Sequence, residues 1–219
     1  MRKPPLLPYA ADLNTCRKKS LNKRSRKMKV LWDRMENWLK VHAPDVLADL
    51  NEGASEPEIS GLEDVIGFAL PDDIKESLRI HNGQSGDAQW LIAGWELLST
   101  ERILEEWKVW KELSDKESFT EWNADPQEGI ANVWWQPAWI PLTYNGCGDH
   151  HCVDLGATED GANGQIITMW HDSGERALLA KTYTQWFEYI VQTFESHDAE
   201  YVFESGDFEF DATEDKTNG

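Results

Sequence analysis

From Met28 onward the chain alternates apolar and polar positions with a period that predicts helices first. Leu31, Met35, Trp38, Leu39 and His42 recur at helical spacing and make one stripe, with Pro44 closing the run. A second helix is predicted from Ser55-Glu-Pro-Glu58, where Ser and Glu three residues apart form a capping box. It buries Ile59, Leu62 and Ile66 and stops at Gly67. A third opens at Leu70-Pro71, carries Ile74 and Leu78 inward and ends at Asn82-Gly83. Gln89 to Leu98, rich in Trp, Leu and Ile, reads as the first strand or strand pair. Ser99-Thr100 then caps a helix with Ile103, Trp107, Trp110 and Leu113 on one face, where tryptophans at this spacing read as core packing. Ser114 to Gly129 is polar and reads as a surface connection.

The pattern changes period between Asn132 and His171. Runs of aromatic and β-branched residues alternate there with Gly, Asn and Asp clusters, which predicts three short strands joined by two turns. A further strand is predicted around Arg176 to Ala180. A last helix begins at the capping pair Thr182 and Gln185, with Phe187, Ile190, Val191 and Phe194 along one side. Three segments follow: a basic tail over 1–29, a folded domain over 30–199, and an acidic end over 200–219 in which Phe208 and Phe210 suggest an edge strand before a frayed tail. Met28 is a plausible biological start, because the preceding residues lack either period.

Composition narrows the functional classes. The 219 residues include 12 Trp and 40% hydrophobic side chains, enough for one packed domain. No apolar run spans a bilayer and no secretory segment opens the chain. Three cysteines, Cys16, Cys147 and Cys152, are an odd set that reads as reduced thiols in a cytoplasmic protein. Net charge is −19, unevenly placed: residues 1–30 hold ten Lys or Arg and one acid, leaving 11 basic and 39 acidic side chains elsewhere, a net of −28. Such a field repels nucleic acids and anionic membranes and attracts cationic partners.

The loop region also carries chemistry-bearing residues. Cys147, Asp149, His150, His151, Cys152, His171 and Asp172 are ligand types, but adjacent His150 and His151 point to opposite faces of a strand, and the spacing departs from paired zinc ligands. A Cys-His-Asp hydrolase built on Cys147 or Cys152 lacks a helix N-terminus to activate the thiol. Asp149, Asp154 and Asp172, with Asn145, read as donors' acceptors within loops. Trp134 and Trp135, taken as neighbours on a strand, place one ring inward and offer the other as an anchor for a partner. Neither a metal, a cofactor, a catalytic residue nor a small-molecule substrate is expected.

The ordered series Leu70-Pro71-Asp-Asp-Ile-Lys-Glu, His81-Asn-Gly83, Trp139-Ile-Pro-Leu142, Gly146-Cys-Gly-Asp149, Asp154, Gly164-Gln-Ile166, His171-Asp172 and Thr184-Gln185-Trp186-Phe187 resembles the SMI1/KNR4 family, also called SUKH. The resemblance covers about Leu31 to Ser196. It implies an α+β domain in which a twisted, mostly antiparallel sheet packs against N-terminal helices and a C-terminal helix. It also implies a non-enzymatic role. Bacterial members are similar to immunity proteins of polymorphic or contact-dependent toxin systems, and fungal members to regulators of cell-wall synthesis and signalling with long flanks. The short flanks here favour an immunity protein that occludes a cognate toxin domain, a basic nuclease being the natural partner of an acidic surface; the alternative is a regulatory scaffold. The expected contact residues are Trp135, Asn145, Cys147, Asp149, His150, His151, Asp154, Gln165, His171 and Asp172. Cys147, His150 and His151 depart from the family pattern of glycine and aromatic or aliphatic residues.

Overall fold

The computed structural model describes residues 10–92, 94–116, 119 and 122–205, with the backbone alone for 10–25 and 204–205. The segment around Phe208 and Phe210 lies outside the described residues. Four helices come first: α1 (Ala10–His42), α2 (Pro44–Asp49), α3 (Glu56–Ile66) and α4 (Asp72–Ile80). A two-residue strand β1 (Glu96–Leu97) precedes α5 (Thr100–Lys116). Then come β2 (Asp125–Pro126), β3 (Trp139–Pro141), β4 (Thr143–Tyr144), β5 (His150–Asp154), β6 (Gln165–Met169), β7 (Glu175–Arg176) and β8 (Leu178–Ala180), and α6 (Tyr183–Ser196) closes the fold before a π-helical turn at Tyr201–Ser205.

The main sheet has the order β3-β5-β6-β8, antiparallel throughout, with Ile140 opposite Val153 and Cys152 opposite Ile167. Two small ribbons flank it: β1 with β4, antiparallel, and β2 with β7, parallel. Every residue of β5 and β6 is buried. Two layers cause this. His151 stands edge-on to Trp186 of α6 at 5.9 Å, while His150 points the other way, towards Glu106 of α5. The alternation expected of adjacent strand residues therefore holds, but neither face is left to solvent.

Helix starts follow local chemistry. At α3 the Ser55 N–H donates to Glu58 Oε2 at 2.7 Å, the capping box read from the sequence, and Gly67 ends the helix at φ 79°. At α6 the Thr182 hydroxyl oxygen accepts from the Gln185 N–H. Pro44 does not close a helix so much as open the next one, since its missing N–H is harmless in the first turn of α2. Helix α1 also begins earlier than its apolar stripe, at Ala10 and not Met28. Alanine, leucine, lysine and arginine between those positions are good helix formers without needing a buried face.

The helical layer is tied by one buried polar chain. Trp32 Nε1 of α1 donates to Ser77 Oγ of α4 at 2.9 Å, and Ser77 Oγ lies 2.8 Å from the Tyr183 hydroxyl of α6. His42, expected in the α1 stripe, is instead exposed and stacks on Trp38 with centroids 4.6 Å apart. Ser77→Ala removes the central atom and strands two buried polar groups, so it should destabilise the protein by about 2 kcal/mol or more in denaturant unfolding, against about 1 kcal/mol for Tyr183→Phe. Equal effects would contradict the shared-atom arrangement.

Candidate partner-binding groove

The segment before β3 departs from a strand. Residues 132–138 are irregular, so Trp134 and Trp135 do not alternate; both are buried. Trp135 stacks on Trp110 of α5 at 6.4 Å, which removes it as an outward anchor. Trp134 lies 4.7 Å from Trp122 and beneath the Arg176 guanidinium at 5.4 Å. Arg176, unremarked as a functional residue in the sequence, is 1% exposed. Its Nη1 donates to Ser173 O at 2.7 Å and Glu175 O at 2.6 Å, and its Nη2 to Trp134 O at 2.7 Å. Burial pulls its pKa down to about 10, so it stays charged at neutral pH and serves as a triple carbonyl clamp.

The loop after β4 is built as tightly. Gly146 and Gly148 hold φ 84° and 106°, and a Cβ on Gly148 would meet His171 Cβ at 3.2 Å. Asn145 Oδ1 accepts from the N–H groups of Cys147 and Asp149, and Asn145 Nδ2 donates to Asp149 Oδ2 at 2.6 Å. Asp149 Oδ1 accepts from the His171 N–H at 2.7 Å and from His171 Nδ1 at 2.8 Å. Burial works to raise the Asp149 pKa, but the donors from His171 and Asn145 outweigh it and the net shift is downward. The carboxylate fixes the His171 tautomer and ties the loop to the end of β6. Asp149, His171 and Asp172 bring potential ligand atoms within 4.8 Å of one another. Asp149 already accepts three hydrogen bonds there, which makes the cluster a clasp first.

The expected contact residues thus divide. Cys147, His171 and Asp172 are exposed and Asn145 is half-buried beside them. Trp135, Asp149, His150, His151, Asp154 and Gln165 are buried and are corrected to structural roles. Gln165 Nε2 donates to Asp154 at 3.0 Å and to Gly129 O at 3.1 Å, pinning two loops together. His150 Nδ1 meets Thr143 O at 2.7 Å, and His151 stacks on Trp95 at 4.6 Å. The Cys152 thiol is enclosed and its pKa is pushed up by burial, which removes it as a nucleophile.

A groove of about 510 Å³ opens between α5 and this loop. Its walls include Trp110, Phe119, Trp122, Trp134 and Tyr144, with Glu106 at one place and Cys147 and His171 at another. Val109 and Leu113 of α5 and Trp122 are 52%, 38% and 48% exposed along it. Three large apolar side chains on one rim are a surface of the kind that proteins reserve for contact. Leu113 had been expected in the core, and Trp122 lay in a stretch read as polar connection.

The sequence profile of the SMI1 / KNR4 family (SUKH-1) matches residues 53–189, which run from the loop before α3 into α6. The chain belongs to the SMI1/KNR4 family. It is 23% identical over 201 residues to a glucan synthesis regulatory protein of Neurospora crassa, covering 75% of this chain and 38% of that one. It is 25% identical over 179 residues to the cell wall biosynthesis/cell cycle regulator smi1 of Schizosaccharomyces pombe, covering 75% and 36%. A segment of 57 residues, 26% of the chain, is 42% identical to human F-box only protein 3. The chain spans less than half the length of the fungal proteins. The α+β fold expected for an SMI1/KNR4 member is the one observed. The immunity reading is not: the two fungal relatives are regulators by name, and short flanks were too weak a reason to prefer a toxin as partner. Among the described residues no helix is long and apolar enough to cross a membrane.

Two measurements test this account of the site. Arg176→Met leaves three carbonyls without their donor and should destabilise the protein by about 3 kcal/mol or more, with a shift in tryptophan emission; a change under about 1 kcal/mol would contradict the clamp. The second is acid unfolding. Burial lowers the pKa of His150 to about 4 and of His151 to about 3. An unfolded chain takes up both protons near pH 6.5, so stability present above that pH is lost as pH falls towards 4 and below. Asp154, raised by burial, opposes this only within the carboxylate range. His151→Phe should flatten the decline between pH 6.5 and 4; an unchanged slope would contradict it.

Proposed function

We propose that this chain is a non-enzymatic regulatory module that serves cell-wall synthesis or signalling by holding a partner protein in the groove between α5 and the loop at 145–148. The observation that carries the reading is the exposed apolar rim of Val109, Leu113 and Trp122 over an aromatic floor. The names of the fungal relatives support the regulatory part, and the negative charge outside the N-terminal thirty residues supports a partner with basic surface. A hydrolytic role finds less support, because Cys147 sits in a loop whose N–H is already given to Asn145.

Photo-cross-linking from position 109 in the native host tests it, with Val65, equally exposed on the neighbouring helix α3 but outside the groove lining, as the control site. The expected result is a discrete adduct from 109, absent from 65 and lost in a Trp122→Ala background. The same Trp122→Ala allele should sensitise cells to a wall-perturbing dye. Adducts that ignore Trp122 would overturn the groove, and normal dye resistance would overturn the cell-wall assignment.

A further inference from the structure

The aromatic groove is acidic at one place by more than its overall surroundings require. Arg102 on α5 is shared by three carboxylates: Nε and Nη2 reach Glu96 at 3.2 and 3.3 Å, Nη1 reaches Glu105 at 2.8 Å, and Nη2 reaches Glu106 at 2.8 Å. One guanidinium against three carboxylates leaves a net of two negative charges in this cluster, whose Glu106 lines the groove. Of the other cations further along the helix, Lys111 and Lys116 pair with Asp115 and Glu112, and Lys108 is exposed and does not line the groove. His150 approaches Glu106 Oε2 at 4.0 Å, but burial holds the imidazole neutral at physiological pH. Glu106 itself is partly desolvated, and burial followed by its carboxylate neighbours raises its pKa against the pull of Arg102. His171, which lines the groove with Cys147, lies beside the buried Asp149 and the exposed Asp172.

A half-buried carboxylate beside tryptophan, phenylalanine and tyrosine rings is complementary to a cation that sheds water easily and stacks on aromatic faces. Arginine meets both conditions, whereas the ammonium of lysine is compact and strongly hydrated. The protein already uses this chemistry internally, with Arg176 over Trp134 and Trp139 at 5.4 and 5.7 Å and Arg102 over Tyr144 at 5.6 Å. We propose that the groove takes a short segment of a partner protein in which an arginine stands beside a bulky apolar residue, the guanidinium seated between Glu106 and the aromatic wall and the apolar residue against Val109, Leu113 and Trp122. The inference rests on the groove being the partner-contact site and adds which side chain it selects.

The test is selection of a random displayed peptide library on the intact chain, followed by fluorescence titration of an enriched peptide and of versions with its arginine changed to lysine or glutamine. Enriched sequences should carry arginine next to Leu, Ile, Phe or Trp. Glu106→Gln should weaken the arginine peptide about tenfold and leave the glutamine version unchanged, in line with loss of one charge-assisted hydrogen bond. Val109→Arg, on an exposed position that folding does not need, should abolish binding. Enriched peptides that lack a basic residue yet are lost with Val109→Arg would overturn the arginine assignment and leave the groove as contact site. Peptides indifferent to Val109→Arg and Trp122→Ala would overturn both.

Discussion

The sheet is covered on both faces, and that constraint decides where function can sit. With α6 against one side of β5 and α5 against the other, none of His150, His151, Cys152, Val153 or Asp154 reaches solvent. Polar side chains inside such a sheet must find partners, because burying them unpaired costs several kcal/mol each in an apolar setting. They therefore become fasteners: Asp154 to Gln165 and Gly156, His150 to Thr143. Among the residues first expected at a contact surface, only the loop residues Asn145, Cys147, His171 and Asp172 stay accessible, beside the flank of α5.

That flank is shaped by irregular backbone held in place by side chains. Arg176 fixes the carbonyl of Trp134, and Asp149 fixes both the loop at 145–148 and the ring of His171. Both clamps hold residues that line one groove, Trp134 in one case and Cys147 and His171 in the other. Backbone carbonyls in an irregular segment lack ladder partners, and a charged guanidinium supplies several donors at once.

Much of the fold was legible in the sequence. The capping box at Ser55, the glycine at 67 and the apolar side of α6 are local signals, and the structure keeps them. The ordered motifs from Leu70 to Phe187 carried the family correctly. What was not legible depended on long-range packing. Nothing in His-His-Cys-Val-Asp says that both faces of a strand will be covered, so six residues expected at a contact surface proved to be interior. Pro44 signals an ending and a beginning equally well. The groove had left a trace in Trp122, a large aromatic in a polar stretch, and in Leu113 at the edge of its stripe, where α5 outruns the core. Preferring a toxin on the strength of flank length was the misstep, because flank length says nothing about what kind of protein a surface binds.

The reading of this SMI1/KNR4 member as a module that recognises its partner through one aromatic, acidic groove is tested most directly by hydrogen–deuterium exchange on the chain alone and in its purified native complex. The account predicts new protection at α5 between Glu105 and Leu113 and at the loop from Asn145 to Gly148, with α1, α3 and α4 unchanged. Protection confined to those helices, with the groove exchanging as before, would contradict it.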